Sequence, residues 1–334
     1  MSTWLKFIIC SAAMIYAGYK LSFYGNIISE KTHITKLLIG FIFLSVATSL
    51  PEFVTSASSI TLIHSPDLAV GNMFGTIVIN LMIIALLDLI QGSGPLLSEA
   101  RKNHILSGGL TIILLGIVCF STLLRSQLQI RLGIFGFGLE SLLLVFIFIL
   151  GIRLIFLSEK TNQISDSDKP KGSPLYAHIS LKSVIAKFCL CFISIVILGI
   201  WLALIGKEVV SIMGWSESLV GTTFLALATS LPELIVSITA LTFAVDMAIG
   251  NILGSNFFDI MIIPLSDFLF REGELLSHIS IAHLATLMLG IILTSIVIVG
   301  LIYRSRKSFL KLGWDAIAMI VIFCVGGYFL IRLM

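Results

Sequence analysis

Long apolar segments separated by short polar stretches limit this chain to a membrane-embedded fold. A helix needs about 20 apolar residues to cross a bilayer, and a segment in hydrocarbon must satisfy its backbone hydrogen bonds internally, as a helix does. The composition agrees, because 57% of the 334 residues are hydrophobic and 12% are charged, against about a quarter charged in soluble proteins. The sequence therefore predicts an all-α integral membrane protein with ten transmembrane helices. The predicted spans are Trp4–Tyr24, Ile34–Ile63, Asp67–Leu89, His104–Leu124, Leu132–Leu157, Ser183–Ile205, Glu217–Phe243, Asp246–Phe270, Ile279–Tyr303 and Leu312–Leu333.

The chain also contains an internal repeat. The hexapeptide ATSLPE at Ala47–Glu52 returns at Ala228–Glu233, and 10 of 17 aligned positions around the two copies (40–56 and 221–237) are identical. Further on, AVGNMFGTIVIN (69–80) aligns with AIGNILGSNFFD (248–259). A chance resemblance between apolar helices would not reproduce a polar pattern of this kind, so the repeat indicates duplication.

Each copy of the repeat has five predicted spans, and an odd number means that the second copy enters the membrane from the opposite side. Inverted repeats of this kind are typical of secondary transporters, whose substrate sites lie near the bilayer midplane. The predicted division is a first five-helix repeat at residues 1–157 with its motif at 40–80, a linker at 158–182, and a second five-helix repeat at 183–334 with its motif at 221–259.

Both copies of the motif line one helix face with oxygen-bearing side chains, because residues three and four apart are neighbours on a helix. Each copy also has a proline that lacks an N–H and so frees the backbone carbonyl four residues earlier. The next helix of each copy adds two more polar side chains on one face. The first copy supplies Ser45, Thr48, Ser49, Glu52, Thr76 and Asn80, and the second supplies Thr229, Ser230, Glu233, Ser255 and Asp259.

These donors predict a binding site for a hard cation. Placing a charge at the centre of a membrane helix costs about 3 kcal/mol, so the two mirrored acids Glu52 and Glu233 are expected to have a function, followed by Asp259 and Asn80. Carboxylate, amide, hydroxyl and carbonyl oxygens favour Ca²⁺, Mg²⁺ or Na⁺ over zinc, copper or iron. By contrast, Asp88 and Asp267 end their helices and are expected at the membrane interface.

The distribution of Lys and Arg predicts the orientation of the chain. If the N-terminus lies on one side and the chain crosses ten times, the 21 Lys and Arg residues divide into 6 on that side and 15 on the other. Cytoplasmic loops are the ones enriched in these residues. The sequence thus predicts a multi-pass protein of the cell (inner or plasma) membrane, with both termini on the non-cytoplasmic side and the linker in the cytoplasm.

At the repeated motifs the sequence resembles the cation/calcium exchanger superfamily, and within it the compact prokaryotic sodium/calcium exchangers. The hallmark of that family is a pair of α-repeats with the patterns (G/A)TSLPE and GNxxGSNxxN/D, and the resemblance covers nearly the whole chain. It implies ten helices with outward termini, and a first and a sixth helix that slide across the rest of the molecule to alternate access.

The resemblance also implies roles for individual residues. Four central ligands would be Glu52, Asn80, Glu233 and Asp259. Calcium would bind chiefly to Glu52 and Glu233, with the backbone carbonyls of Thr48 and Thr229. Sodium would use the same carboxylates, and its further ligands would be the hydroxyls of Thr76 and Ser255 and the carbonyls of Ser45 and Ala226. Ser49 and Ser230 would help to shape the site.

The chain departs from the family pattern in the first copy, which reads Gly75, Thr76, Ile77 where the family has Gly-Ser-Asn. The threonine keeps the hydroxyl, whereas Ile77 removes an amide. This departure bears on the sodium site of the first copy.

The sequence hypothesis is a secondary antiporter that exchanges Ca²⁺ for Na⁺ by alternating access. Cation/proton exchange and potassium-dependent sodium/calcium exchange are alternatives, and a cation channel is a more distant one because a single chain supplies both halves of the site. An enzyme is not expected, nor is any cofactor. The expected partners are the transported Ca²⁺ and Na⁺ and the lipid bilayer, with no nucleic acid and no obligate protein partner.

Overall fold

The computed structural model describes residues 2–31, 44–92, 94–128, 133–134, 137–163, 180–242, 244–305, 308–309 and 312–334. Within them the regular secondary structure is helical apart from two hairpins of two-residue strands, β1 with β2 and β3 with β4. Nine of the described helical stretches are long and apolar enough to cross a membrane. The chain is an all-helical membrane protein.

The first half contains α1 to α7 and the second half α8 to α14. The first-half elements are α1 (Thr3–Lys31), α2 (Ser45–Thr48), α3 (Leu50–Thr61), α4 (Pro66–Gln91), α5 (Leu96–Glu99), α6 (His104–Leu128), β1 (Gly133–Ile134), β2 (Phe137–Gly138) and α7 (Leu139–Gln163). The second-half elements are α8 (Leu181–Met213), α9 (Glu217–Val220), a π-helical turn (Gly221–Leu225), α10 (Ala226–Leu241), α11 (Val245–Asp259), α12 (Ile262–Leu269), a 3₁₀ turn (Leu275–Ser277), α13 (His283–Tyr303), β3 (Ser308–Phe309), β4 (Leu312–Gly313) and α14 (Trp314–Leu333).

Most predicted spans match these helices, and the differences are shifted ends and breaks within two of the spans. The second predicted span, Ile34–Ile63, begins outside the described residues and continues in α2 and α3. The fifth and tenth spans begin later than predicted, at Leu139 and Trp314, because a short hairpin precedes each of them. The eighth predicted span is interrupted between α11 and α12.

Buried apolar side chains form two main groups. The larger surrounds α4 and α11 and includes residues of α6 and α13. The smaller is dominated by α1 and α8, which pack side by side through residues such as Met14 and Leu202. Lys6 of α1 and Glu208 of α8 add an ion pair of 2.7 Å. The first and sixth predicted helices therefore form a packed pair beside the rest of the molecule.

Polar contacts at the starts of α4 and α11 connect the two halves reciprocally. Asp67 in the first half accepts a hydrogen bond from the backbone N–H of Ser280 (2.6 Å) and pairs with His283 Nε2 (3.1 Å). In the second half, Asp246 accepts from the backbone N–H of Arg101 (2.7 Å) and pairs with His104 Nε2 (3.2 Å). Each residue of one set lies 179 positions from its counterpart in the other set, so equivalent residues make equivalent contacts across the halves.

Asp88 and Asp267 lie at helix ends, as expected, but they are buried rather than exposed to an interface. Asp88 accepts hydrogen bonds from the backbone N–H groups of Leu96 and Gly313. Asp267 accepts from the backbone N–H of Leu275, 2.7 Å away, as well as from Gly138 and Ser141. These aspartates thus stabilise loops, because buried backbone N–H groups need acceptors.

Glycines let α4 pack directly on the π-helical turn. A Cβ atom added to Gly71 would lie 2.9 Å from the backbone nitrogen of Thr222, and one added to Gly75 would overlap the Thr222 carbonyl oxygen. This close approach is typical of small residues spaced four apart in membrane helices. It brings the two repeated motifs together in the middle of the molecule.

Candidate functional site

The first ATSLPE copy interrupts its helix. The chain leaves α2 at Ser49 (φ −76°, ψ −1°) and enters α3 at Leu50, with Pro51 in the first turn of the new helix. A proline is tolerated there because N–H groups in the first turn have no intrahelical partner. Glu52 therefore lies one residue after a proline, in the first turn of α3, where the positive end of the helix dipole favours a negative charge.

The second copy has a different local structure. Gly221–Leu225 forms a π-helical turn, and α10 then continues through Pro232 without a break. Leu44, the described residue before α2, is also π-helical and is the counterpart of Leu225, the last residue of that turn. Single π-helical turns shift the register of backbone carbonyls and are common at functional sites.

Hydroxyl groups bridge the two copies. Thr48 Oγ1 lies 3.1 Å from Ser255 Oγ, and Thr76 Oγ1 lies 3.3 Å from Thr229 Oγ1. The first bridge joins α2 to α11 and the second joins α4 to α10, so each connects the ATSLPE segment of one half to the following helix of the other half. In addition, the Thr48 hydroxyl is 3.3 Å from the Ser45 carbonyl, and the Thr229 hydroxyl is 3.3 Å from the Ala226 carbonyl.

The three predicted acids are fully buried. Glu52, Glu233 and Asp259 have no exposed surface, and none of their carboxylate oxygens has a hydrogen-bond partner among the described residues. Glu52 is close enough to Glu233 and Asp259 for the charges to interact, and Glu233 also interacts with Asp259. An unpaired buried charge is strongly unfavourable unless a proton or a cation compensates it.

The remaining predicted residues share this environment. Ala226, Thr229, Ser230, Ser255, Ser45, Thr48, Ser49, Thr76 and Asn80 are all buried. The hydroxyls of Ser49 and Ser230 have no hydrogen-bond partner among the described residues, and neither has the side-chain oxygen of Asn80. We call the twelve predicted residues the central site.

Two asparagines that sequence reasoning did not single out help to build the central site. Asn72 donates to the Glu52 backbone carbonyl (3.3 Å) and to Ser56 Oγ (3.0 Å), and its oxygen accepts from Thr229 (3.2 Å). The equivalent Asn251 donates to Ser237 Oγ (3.0 Å). The signal was present in the sequence, because both asparagines follow a glycine at matching positions of the repeat.

Within the described residues, no three His, Cys, Asp or Glu side chains lie close enough together to hold a metal ion by themselves. A cation at the central site would therefore need hydroxyl, amide and backbone oxygens as well as carboxylates. This mixture of oxygen ligands is the one that Ca²⁺ and other hard cations prefer.

Comparison with known proteins agrees with this architecture. A family model described as "Sodium/calcium exchanger protein" matches residues 2–161 and 183–332. The inner membrane protein YrbG of Escherichia coli (strain K12) is 27% identical over 273 residues, which are 78% of each chain. The putative antiporter CaxA of Alkalimonas amylolytica is 25% identical over 263 residues, 74% of each chain.

Among solved structures, the sodium-calcium exchanger NCX_Mj soaked with 2.5 mM Na⁺ and 0.1 mM Ca²⁺ matches with a TM-score of 0.62. The match covers 98% of this chain and 97% of that one, at 20% sequence identity. At this identity the likeness shows the fold, and it extends over the whole membrane domain. The chain is a multi-pass membrane protein.

Proposed function

Because the chain belongs to the sodium/calcium exchanger protein family, we propose that it is a secondary active antiporter that exchanges Ca²⁺ for Na⁺. Membership of this family supports a transporter of the cation exchanger type. The observation that carries the specific proposal is the burial of Glu52, Glu233 and Asp259, whose carboxylate oxygens have no hydrogen-bond partner among the described residues.

The proposed mechanism follows from the cost of buried charge. Ca²⁺ and Na⁺ compete for the same carboxylates, so the two ion types do not occupy them together. With no cation bound, the charged site is unfavourable in a low-dielectric environment, and movement of α1 and α8 across it is suppressed. Either ion type compensates the charge and permits the movement. Obligatory exchange then results from electrostatics, and uncoupled leak is limited.

We assign the ligands as the family resemblance implies. Calcium binds to Glu52 and Glu233 with the carbonyls of Thr48 and Thr229. Sodium ions use these carboxylates with the hydroxyls of Thr76 and Ser255 and the carbonyls of Ser45 and Ala226, and Asn80 and Asp259 complete the centre. The hydroxyl bridges Thr48–Ser255 and Thr76–Thr229 support this assignment, because they bring ligands of both copies together.

The topology proposed for this function is ten spans arranged as two inverted five-helix repeats, residues 1–157 and 183–334, joined by a cytoplasmic linker at 158–182. The reciprocal Asp67–His283 and Asp246–His104 contacts support two equivalent halves. The excess of Lys and Arg on one side supports termini on the non-cytoplasmic face.

The test is ⁴⁵Ca²⁺ flux into proteoliposomes in which the Na⁺, K⁺ and H⁺ gradients are set independently. We expect uptake to follow an outward Na⁺ gradient and to stop when that gradient is removed. Equal uptake with no Na⁺ gradient in either direction would overturn the proposal. Uptake driven by a pH gradient would indicate cation/proton exchange, a requirement for K⁺ would indicate potassium-dependent exchange, and single-channel currents would indicate a channel.

A further inference from the structure

The side-chain amide of Asn80 has a hydrogen-bond partner at its nitrogen and none among the described residues at its oxygen. Its nitrogen donates a hydrogen bond to Asn256 Oδ1 at 3.1 Å, while its own Oδ1 is buried with no hydrogen-bond partner among the described residues. Both asparagines are fully buried. The two side chains belong to different halves of the molecule, on α4 and α11.

A backbone carbonyl fixes the orientation of the two amides. Asn256 Nδ2 lies 3.2 Å from the carbonyl oxygen of Ile77. Because a carbonyl only accepts hydrogen bonds, the nitrogen of Asn256 must face it, and the oxygen of Asn256 must face Asn80. Asn80 must then present its nitrogen to Asn256, which leaves its oxygen available for another ligand.

We propose that Asn256 is a positioning residue that orients the amide of Asn80 so that Asn80 offers its oxygen, and not its nitrogen, to the transported cation. This inference rests on the proposed function, in which Asn80 is a central ligand. An amide nitrogen carries partial positive charge and repels a cation, so an amide free to rotate would be a weaker ligand. Asn256 has a partner at both ends of its own amide, so it acts on the cation through Asn80.

The asymmetry of the repeat supports this role. The counterpart of Asn80 in the second copy is Asp259, and the counterpart of Asn256 in the first copy is Ile77, each 179 positions away. A carboxylate has an oxygen at both ends and needs no partner to orient it, whereas an amide does. The amide ligand Asn80 therefore has the orienting residue Asn256 beside it, and the position equivalent to Asn256 in the first copy is the apolar Ile77.

The test measures cation affinity by the thermal stabilisation of the purified protein during titration with Ca²⁺ and, separately, with Na⁺. We expect Asn256→Leu to weaken affinity roughly ten- to hundredfold, as is usual when the partner that orients a metal ligand is lost. Asn256→Ala removes the same amide with a smaller side chain and replaces Asn256→Leu if that variant does not fold. Thr294→Val, which removes a buried hydroxyl bonded to Gly290 of its own helix, is the control and should leave affinity unchanged.

A second substitution separates positioning from a merely structural role. Asn80→Asp in the Asn256→Leu background should restore affinity, because a carboxylate offers oxygen in either orientation. Asn80→Asp alone should bind cations more weakly than the double variant, since its carboxylate faces Asn256 Oδ1. The inference is overturned if Asn256→Leu keeps wild-type affinity, or if the double variant is no better than Asn256→Leu.

This titration does not depend on which gradient drives transport. A wild-type protein that binds Ca²⁺ or Na⁺ but exchanges them by another coupling would overturn the proposed function and leave the positioning role standing. Unchanged affinity in Asn256→Leu, together with sodium-driven calcium flux in the wild type, would overturn the positioning role alone. A wild-type protein that neither cation stabilises would overturn both.

Discussion

At the scale of single residues, the central-site acids Glu52, Glu233 and Asp259 are fully buried and have no hydrogen-bond partner among the described residues. Several buried acids outside the central site do have partners: Asp88 and Asp267 accept backbone N–H groups, and Glu140 pairs with Arg125. An unpaired buried carboxylate lowers the stability of a folded protein by several kcal/mol. This contrast separates acids that stabilise the fold from acids that are available to a ligand.

The residue-scale prediction concerns charge at the central site. Glu52→Gln and Glu233→Gln keep the size of the side chain but remove its charge, so each should weaken Ca²⁺ affinity at least about thirtyfold. The same calcium titration by thermal stabilisation measures the change. Glu99→Gln alters an exposed carboxylate that accepts from Gln91 and is the matched control. Calcium affinity that survives both central substitutions would contradict the assignment.

At the scale of helices, glycines mark where the α1 and α8 pair touches the repeated motifs. A Cβ atom added to Gly18 of α1 would lie 2.5 Å from Pro232 Cβ, and one added to Gly199 of α8 would lie 2.7 Å from Val54 Cγ1. Gly18 and Gly199 are 181 positions apart. Gly18 of the first half contacts α10 of the second half, and Gly199 of the second half contacts α3 of the first half. If α1 and α8 slide, these are the contacts over which they move.

The helix-scale prediction is that Gly18→Ala and Gly199→Ala slow exchange. The extra methyl group overpacks the contact at a cost of about 1–3 kcal/mol. Where this cost adds to the barrier for sliding, the maximal rate of exchange falls about tenfold. ⁴⁵Ca²⁺ flux should show this loss in maximal rate with little change in the KM for calcium. Gly116→Ala is the control, because an added Cβ there meets no atom of the described structure within 4 Å. An equal loss in the control would refute the explanation.

At the scale of the whole molecule, buried polar contacts join the halves outside the central site. Arg125 and Glu140 of the first half form an ion pair of 2.6 Å, and Arg125 also pairs with Glu274 of the second half. Its guanidinium donates to Ser277 as well. These side chains are nearly fully buried, so the arginine holds α6, α7 and the segment before the 3₁₀ turn together.

The whole-molecule prediction compares this cluster with an exposed ion pair. Arg125→Met leaves two buried carboxylates without their cation and should cost about 3–5 kcal/mol of stability. Lys6→Met breaks the half-exposed pair with Glu208 and should cost about 1 kcal/mol or less. Thermal unfolding of the purified variants measures both effects. Equal losses would show that burial of the Arg125 cluster does not matter to stability.

The sequence by itself determined the features that depend on local chemistry. Apolar segments of membrane length predicted the helices, since any such segment must satisfy its backbone internally. The duplicated hexapeptide predicted two related halves, and the cost of charge in lipid identified Glu52 and Glu233 as buried acids of interest. The burial of these acids agrees with that reasoning, while their binding of a cation stays a prediction.

The tertiary structure alone decided which residues meet. The orienting contact between Asn80 and Asn256, the Thr48–Ser255 bridge and the Arg125–Glu274 pair each join residues more than 140 positions apart in the chain. Hydrophobic periodicity records which face of a helix avoids water, but it contains no information about the partner across the interface. The break at Ser49, opposite an unbroken α10, likewise depends on packing, because both copies have the same hexapeptide.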